Sequence, residues 1–208
     1  FARSNGVKTR SRKRSPCLAI TASMRRMSTM SLPSPMTTRR YPFDLSACAT
    51  YEDVLRACGA RLLIGGPERL SEVPTGSVDL TFSEVALEHV RRDGFAPLLA
   101  GLRRVSVPDG FGTHGVDFHD HLGGALRHLA FAPSFWEGRA VGRAGLYCNR
   151  LGLSQMLAAF HAAGFEAAAV HRDLWDVPPL PLGGAHPSLR RDAEDDRVCH
   201  AVIETRPA

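Results

Sequence analysis

Apolar residues recur along this chain at two spacings, and each spacing predicts a different kind of secondary structure. A recurrence every three or four residues is typical of the buried face of an α-helix. This spacing is clearest for the apolar residues Phe95, Leu98, Leu99, Leu102 and Val105. The pattern predicts helices over 50–59, 95–105, 153–163 and parts of 122–145, with one or two helical turns at 84–92.

Residues at the ends of these segments predict where two of the helices begin and end. Thr50 is a candidate N-cap of the first helix, and Gly59 is a candidate stop, because glycine readily adopts the backbone conformation that ends a helix. Ser154 is a candidate N-cap of the helix near residue 155, and Gly164 is its candidate stop. These boundaries leave short apolar runs between the helices.

The short apolar runs are bounded by Gly, Pro or polar residues and predict β-strands at 60–66, 77–83, 112–118, 165–171 and 198–204. Strands that alternate with amphipathic helices are typical of an α/β domain with a mostly parallel sheet. Residues 41–208 form the candidate domain.

One strand, in "SVDLTFSEVALEHV" (77–90), runs directly into acidic residues and a histidine. In parallel sheets, ligands bind outside the carboxyl ends of the strands. We therefore expect Val78, Leu80 and Phe82 to be buried, and Ser83 and Glu84 to open onto a cleft.

Charge is distributed unevenly along the 208 residues. Residues 1–40 contain ten Lys and Arg and no Asp or Glu, whereas the remainder contains 16 basic and 21 acidic residues. Three interpretations of this basic leader, residues 1–40, stay open: a disordered arm that binds nucleic acid, an organelle transit peptide, or a leader that is simply disordered or misassigned. It lacks aromatic residues among the basic ones between Gly6 and Arg40, which argues against a stacking surface for single-stranded nucleic acid.

The five cysteines, at positions 17, 48, 58, 148 and 199, form no Cys-x-x-Cys pair and are odd in number. This pattern argues against a disulfide framework or a zinc knuckle and favours a reducing compartment such as the cytoplasm. No apolar run approaches the roughly 18–20 residues of a membrane span.

Three motifs could carry chemistry. A Gly-x-Gly-x-x-Gly run at 110–115 follows a helix and opens a strand, the reverse of a dinucleotide-binding loop. The cluster His114–His121 alternates Asp117, His119 and His121 on one face of an extended chain, and could hold a catalytic metal or form a polar loop.

The third motif is a pair of carboxylates. Glu84 and Glu88 are four residues apart, which would place them on one helical face, either as an acid–base dyad or as a solvated surface. Asp79, inside the predicted strand, would need a partner if that strand is buried.

Longer stretches resemble a known family. "PTGSVDLTFSEVALEHV" (74–90) is similar to the segment around the fourth strand of class I S-adenosylmethionine-dependent methyltransferases. "GLRRVSVPDGFGTHGVDF" (101–118) is similar to the following helix, turn and fifth strand, with Pro108-Asp109-Gly110 in place of Pro-Gly-Gly. "DFHDHLGG" and "YCNRLGLSQMLAAFHAAGFE" resemble a bacterial subgroup. The resemblance covers about residues 60–204, and the family's glycine loop is not found before residue 60.

The resemblance implies an incomplete Rossmann-like α/β sheet, mostly parallel with an antiparallel last strand and helices on both faces. It implies S-adenosylmethionine as the cofactor and a set of site residues. Candidate cofactor-binding residues are Gly66, Glu68, Ser83 and Glu84. Candidate substrate-binding residues are Asp117, Asp120, Asn149 and Arg150. Candidate bases are Glu88, His89 and His121, and no resident metal is expected.

Three functions stay open at this point. The chain is part of an active methyltransferase in the cytoplasm, an inactive methyltransferase-like fragment or paralogue, or a metal-dependent enzyme that uses His114–His121. The sequence does not distinguish a sugar, a lipid, a small acid or a protein as the methyl acceptor, although nucleic acid is disfavoured.

Overall fold

The computed structural model describes residues 45–189 and 191–208, so the basic leader at residues 1–40 lies outside the described residues. Short 3-10 turns occur at Pro67–Glu72, Leu87–His89, Arg127–Ala130 and Asp195–Arg197. The helices and strands are, in chain order, α1 (Tyr51–Ala57), β1 (Val78–Glu84), α2 (Arg92–Val105), β2 (Ser106–Asp117), α3 (Pro133–Trp136), α4 (Arg139–Ala144), α5 (Leu153–Ala162), β3 (Phe165–Leu174) and β4 (Val198–Pro207).

The four described strands form one sheet in the order β1-β2-β4-β3. β1 and β2 are parallel, while β4 is antiparallel to both β2 and β3. The first three strands therefore run in one direction and the last strand runs against them. The α/β class and the antiparallel last strand are confirmed, and the described sheet has one parallel pairing followed by two antiparallel ones.

The main core lies on one face of this sheet, under α2 and α5. Inward side chains of the strands, Val116, Ala201 and Ile203, are fully buried there. They pack in one cluster with apolar side chains of the two helices, which include Leu98, Leu99, Met156 and Phe160. The amphipathic spacing of 95–105 and 153–163 therefore identified the helix faces that cover the sheet.

The opposite face of β1 is more exposed than the sequence predicts. Val78 is buried, but Leu80 is 45% exposed and Phe82 is 47% exposed. Alternate residues of a strand point to opposite faces, but a register shift between Val78 and Leu80 breaks this alternation in β1. After the shift, Thr81 and Ser83 take the buried face, and Leu80 and Phe82 take the exposed one. The prediction that Leu80 and Phe82 are core residues is wrong, and Asp79 is likewise exposed rather than buried.

Of the two N-cap residues predicted from the sequence, one caps its helix and the other does not. Thr50 caps α1: its hydroxyl accepts from the backbone N–H of Asp53, whose carboxylate accepts from the N–H of Thr50. Ser154 lies inside α5 instead of capping it, and its hydroxyl donates to Asp195 at 2.6 Å. The predicted strand at 60–66 is irregular chain, because it has no neighbouring strand to pair with in the described part.

The glycine run at 110–115 lies inside β2, where close packing explains two of its members. A Cβ atom on Gly112 would collide with Thr205, and one on Gly115 would collide with the carboxylate of Glu84. These glycines let neighbouring side chains cross the sheet closely. They do not open a helix, which confirms that the motif is not a dinucleotide loop.

Within 45–189 and 191–208, no helix combines the length and the apolar character that crossing a bilayer requires.

Candidate functional site

The candidate site lies where β1 and β2 end side by side. The parallel register pairs Ser83 with His114 and Glu84 with Gly115. The chain then turns at Val85, whose φ of 48° is unusual for a β-branched residue. The N–H of Val85 donates to the carbonyl of Gly115 at 3.0 Å, which holds this turn against β2. The turn directs the following 3-10 segment, Leu87–His89, back over the strand ends.

Glu88, in that segment, is a buried carboxyl group. The residue is 4% exposed, and neither carboxylate oxygen has a hydrogen-bond partner among the described residues. Burial raises the pKa of Glu88 to about 8; nearby backbone N–H groups offset part of this effect, and the charges of Asp117 and Glu84 add to it. Glu88 is therefore mostly protonated at neutral pH, an unusual state for a glutamate and one suited to proton transfer.

His89 and His121 lie next to this carboxyl group. Nδ1 of His89 is 3.1 Å from the carbonyl oxygen of Tyr147, so Nδ1 carries the proton and donates it to that oxygen. Nε2 of the same ring lies 3.6 Å from Oε1 of Glu88. The ring of His121 lies 5.0 Å from that of His89 and is exposed. The three candidate bases are thus brought together.

His114 occupies the floor of the site and is withdrawn from solvent. Its Nδ1 is 2.9 Å from the hydroxyl of Ser83, and its ring stacks on Phe160 at 5.4 Å. Burial lowers the pKa of His114 to about 4, so the ring is neutral at neutral pH. Ser83 and His114 form a neutral, structural pair, and the hydroxyl of Ser83 is already engaged.

The geometry does not gather the metal cluster that the spacing of His114–His121 suggested. Asp117 binds the backbone and the ring of His119, and that ring packs edge-on against Trp175. His114 is buried against Ser83 and Phe160, away from these side chains. No group of three potential metal ligands is found among the described residues.

Asp120 organises the loop that follows β2. The residue is 4% exposed, and its carboxylate accepts from four backbone N–H groups, those of Leu122, Ala125, Arg127 and His128. Burial alone would raise its pKa, but the N–H groups of Ala125, Leu122 and Arg127 outweigh this effect and lower the pKa of Asp120 below 3.8. Through these contacts Asp120 shapes the loop that carries His121.

Asp120→Asn is expected to lower the free energy of unfolding by about 1–3 kcal/mol, because an amide NH2 would then face backbone donors. Since folding lowers the pKa of Asp120, this stabilisation is present above about pH 4 and is lost as the pH falls through the lowered pKa. Urea unfolding at pH 7 measures the loss. The matched variant Asp109→Asn, at an exposed residue, should change stability by about 0.5 kcal/mol or less. Equal effects of the two variants would contradict the role given to Asp120.

Asn149 and Arg150 are also buried, at 1% and 2% exposure. The amide of Asn149 donates to the carbonyl oxygens of Leu87 and Val90, which clamps the segment that carries Glu88. Arg150, with a φ of 58°, donates to the carbonyl of Phe131 at 2.7 Å. Both side chains hold the walls of the site, and neither points to open solvent.

Gly66 and Glu68 lie at the start of the Pro67–Glu72 turn and are exposed. The N–H of Gly66 donates to Oε1 of Glu68 at 2.9 Å. No hydrogen bond or ion pair joins them to Ser83 or Glu84 in the described structure, so these predicted cofactor residues do not form one contiguous group here.

Two residues at the site were missed from the sequence. Nε2 of His200 on β4 lies 3.8 Å from Oε1 of Glu84, and the carbonyl of Tyr147 orients His89. His200 reaches Glu84 across β2, a relation that depends on β4 inserting next to β2. The alternation of polar and apolar residues in the last strand could have indicated His200. No sequence pattern indicates which backbone carbonyl will orient a histidine.

Comparisons with known proteins return only distant similarities. No family model and no curated protein matches the chain. Among solved structures, the chain is similar to a TehB-like methyltransferase, dependent on S-adenosylmethionine, from Corynebacterium glutamicum (17% identity over 73% of this chain and 59% of that chain, TM-score 0.39).

It is also similar to the 1,6-didemethyltoxoflavin-N1-methyltransferase of Burkholderia thailandensis (18% identity, 79% of this chain, 59% of that chain, TM-score 0.42). The chain thus spans 59% of the length of each of these two proteins.

Proposed function

We propose that this chain carries the acceptor-side part of an S-adenosylmethionine-dependent methyltransferase that works in the cytoplasm. The observation that carries the proposal is the cluster of Glu88, His89 and His121 at the carboxyl ends of two parallel strands, in a sheet whose last strand is antiparallel. The sequence resemblance implied both the sheet and the position of this cluster. The alternative, an inactive methyltransferase-like fragment, shares the sheet but needs no proton-transfer group.

The residues present fit the cofactor only in part. The carboxylate of Glu84 is 69% exposed and lies at the strand edge, where it can accept hydrogen bonds from the ammonium group of S-adenosylmethionine. The hydroxyl of Ser83 is held by His114, and the N–H of Gly66 is held by Glu68. Glu84 would therefore hold the cofactor, and these two groups would add little.

The cofactor, when bound, supplies an activated methyl group on sulfur. Methyl transfer then requires the acceptor atom to be aligned with that group, and it requires a base when the acceptor atom carries a proton. His121 is the most exposed of the three candidate bases, so an acceptor meets it first. Glu88, whose Oε1 lies 3.6 Å from Nε2 of His89, would be a second proton-transfer group on the buried side of the cluster.

The chain of 208 residues is expected to bind S-adenosylmethionine weakly, with a dissociation constant of about 1 mM or higher, that is about −4 kcal/mol or weaker. The reason is that the glycine loop is not found in the sequence and that three of the four proposed cofactor residues, Gly66, Glu68 and Ser83, already make hydrogen bonds within the protein. Isothermal titration calorimetry measures the affinity, and Glu84→Gln should weaken it further. Micromolar affinity of this chain would contradict the prediction.

The same titration on a longer chain, including what the coding frame specifies before Phe1, tests the function itself. An acidic residue and a Gly-x-Gly-x-Gly loop in that frame, with micromolar binding, would support an active methyltransferase. A longer chain that still does not bind the cofactor would overturn the proposal in favour of the inactive fragment. Metal analysis of the purified protein tests the metal-dependent alternative, for which the described geometry offers no support.

A further inference from the structure

An apolar groove is lined in part by the loop that carries His121. It is formed between the loop after β2 and the Pro-rich loop after β3, and its volume is about 700 Å³. The two loops are joined by backbone hydrogen bonds from Leu126 to Pro179, at 3.2 Å, and from His186 to Leu129, at 2.8 Å. The volume lies within the usual range of small-molecule sites. Its lining includes Leu122, Ala125, Arg127, Phe131, Leu180 and Leu182.

The loop after β2 carries both His121 and part of the groove lining. Leu122 lines the groove and directly follows His121, whose ring lies 5.0 Å from that of His89. Asp120 anchors both ends of this loop through its four backbone hydrogen bonds, so the position of His121 and the shape of the groove are set by the same residue.

Several apolar side chains of the groove lining are exposed. Leu182 is fully exposed, Leu180 is 43% exposed and Phe131 is 37% exposed. Apolar side chains gathered around a concave surface mark a binding site for an apolar ligand more often than isolated exposed ones do. The ligand should therefore have an apolar body.

Arg127 adds a positive charge to this apolar lining. Its Nη1 donates to the carbonyl of Leu122 at 3.0 Å, and in the described part of the chain its guanidinium makes no ion pair. No acidic side chain lines the groove with it. A guanidinium in such a position can pair with the carboxylate of a ligand.

We infer that this groove binds the methyl acceptor, and that the acceptor is a small amphipathic molecule with an apolar body and an anionic group. The identification of the ligand as the methyl acceptor rests on the proposed function. The groove and its preference for apolar anions rest on the geometry alone. The apolar body packs between the two loops, Arg127 pairs with the anionic group, and the opposite end reaches His121.

Two fluorescent probes that differ only in charge test this inference without the cofactor. 8-Anilinonaphthalene-1-sulfonate is an apolar anion, and N-phenyl-1-naphthylamine has the same ring system without the sulfonate. Both are expected to bind the 208-residue protein. Leu182→Ser should weaken both by about tenfold, because it removes apolar contact area. Arg127→Gln should weaken the anionic probe by about fivefold and leave the neutral one unchanged.

Leu174→Ser and Arg172→Gln are matched controls, since both residues are exposed on β3, outside the groove. Both control variants should bind the two probes as the unmodified protein does. The inference is overturned if neither probe binds, if Leu182→Ser has no more effect than Leu174→Ser, or if Arg127→Gln weakens both probes equally. Because no S-adenosylmethionine is present, failure here is distinguishable from failure of the proposed function, which the cofactor titration tests separately.

Discussion

Replacing Phe160 by alanine is expected to lower the free energy of unfolding by about 3–5 kcal/mol, the usual cost of emptying a buried aromatic site. Phe160, on α5, is fully buried. Its ring stacks on His114 at 5.4 Å and packs edge-on against Phe165 at 5.8 Å, so the side chain joins the helix to the floor of the candidate site. Urea unfolding followed by circular dichroism measures the loss.

Phe82→Ala is the matched comparison, because it removes the same atoms from a side chain that is 47% exposed. Its expected cost is about 1 kcal/mol or less. If Phe160→Ala does not fold, Phe160→Leu gives a smaller and measurable loss at the same site. A cost at Phe82 equal to that at Phe160 would show that the exposed face of β1 is covered in solution.

Replacing Glu88 by glutamine is expected to stabilise the protein, by about 3–5 kcal/mol at pH 8. Burial raises the pKa of Glu88 from 4.5 to about 8. Between these two pH values the folded state holds a proton that the unfolded state has released, so the stability of the unmodified protein falls as the pH rises. Glutamine does not titrate, and it keeps the size of the side chain.

The measurement is the difference in unfolding free energy between Glu88→Gln and the unmodified protein, from pH 4.5 to pH 8. The difference should grow with pH across this range. The buried rings of His114 and His128, whose pKa values burial lowers to about 4, titrate in both proteins and cancel. Glu166→Gln, at an exposed position on β3, should show no such growth. A difference that is constant with pH would mean that Glu88 is ionised in the folded protein.

The candidate bases could be predicted only as a set of residue types near a strand end. The resemblance implied Glu88, His89 and His121, and the structure brings them together. Neither the burial of Glu88 nor the exposure of Glu84 could be predicted from their spacing. Glu84 is the last residue of β1 and Glu88 lies in a 3-10 turn, so the two carboxylates never share a helical face.

The sequence by itself determined the elements whose signals act over a few residues. The Thr50 cap, the amphipathic faces of α2 and α5, and the alternation in the last strand arise from neighbours in the chain, and the structure shows all of them. Tertiary structure alone decided which faces are covered and which groups lose water. Leu80 and Phe82 look like core residues in the sequence, but burial requires a second surface to pack against, and a strand carries no information about whether that surface is supplied. The raised pKa of Glu88 has the same origin, because it depends on the segments around residues 117 and 149 that fold over it from distant parts of the chain.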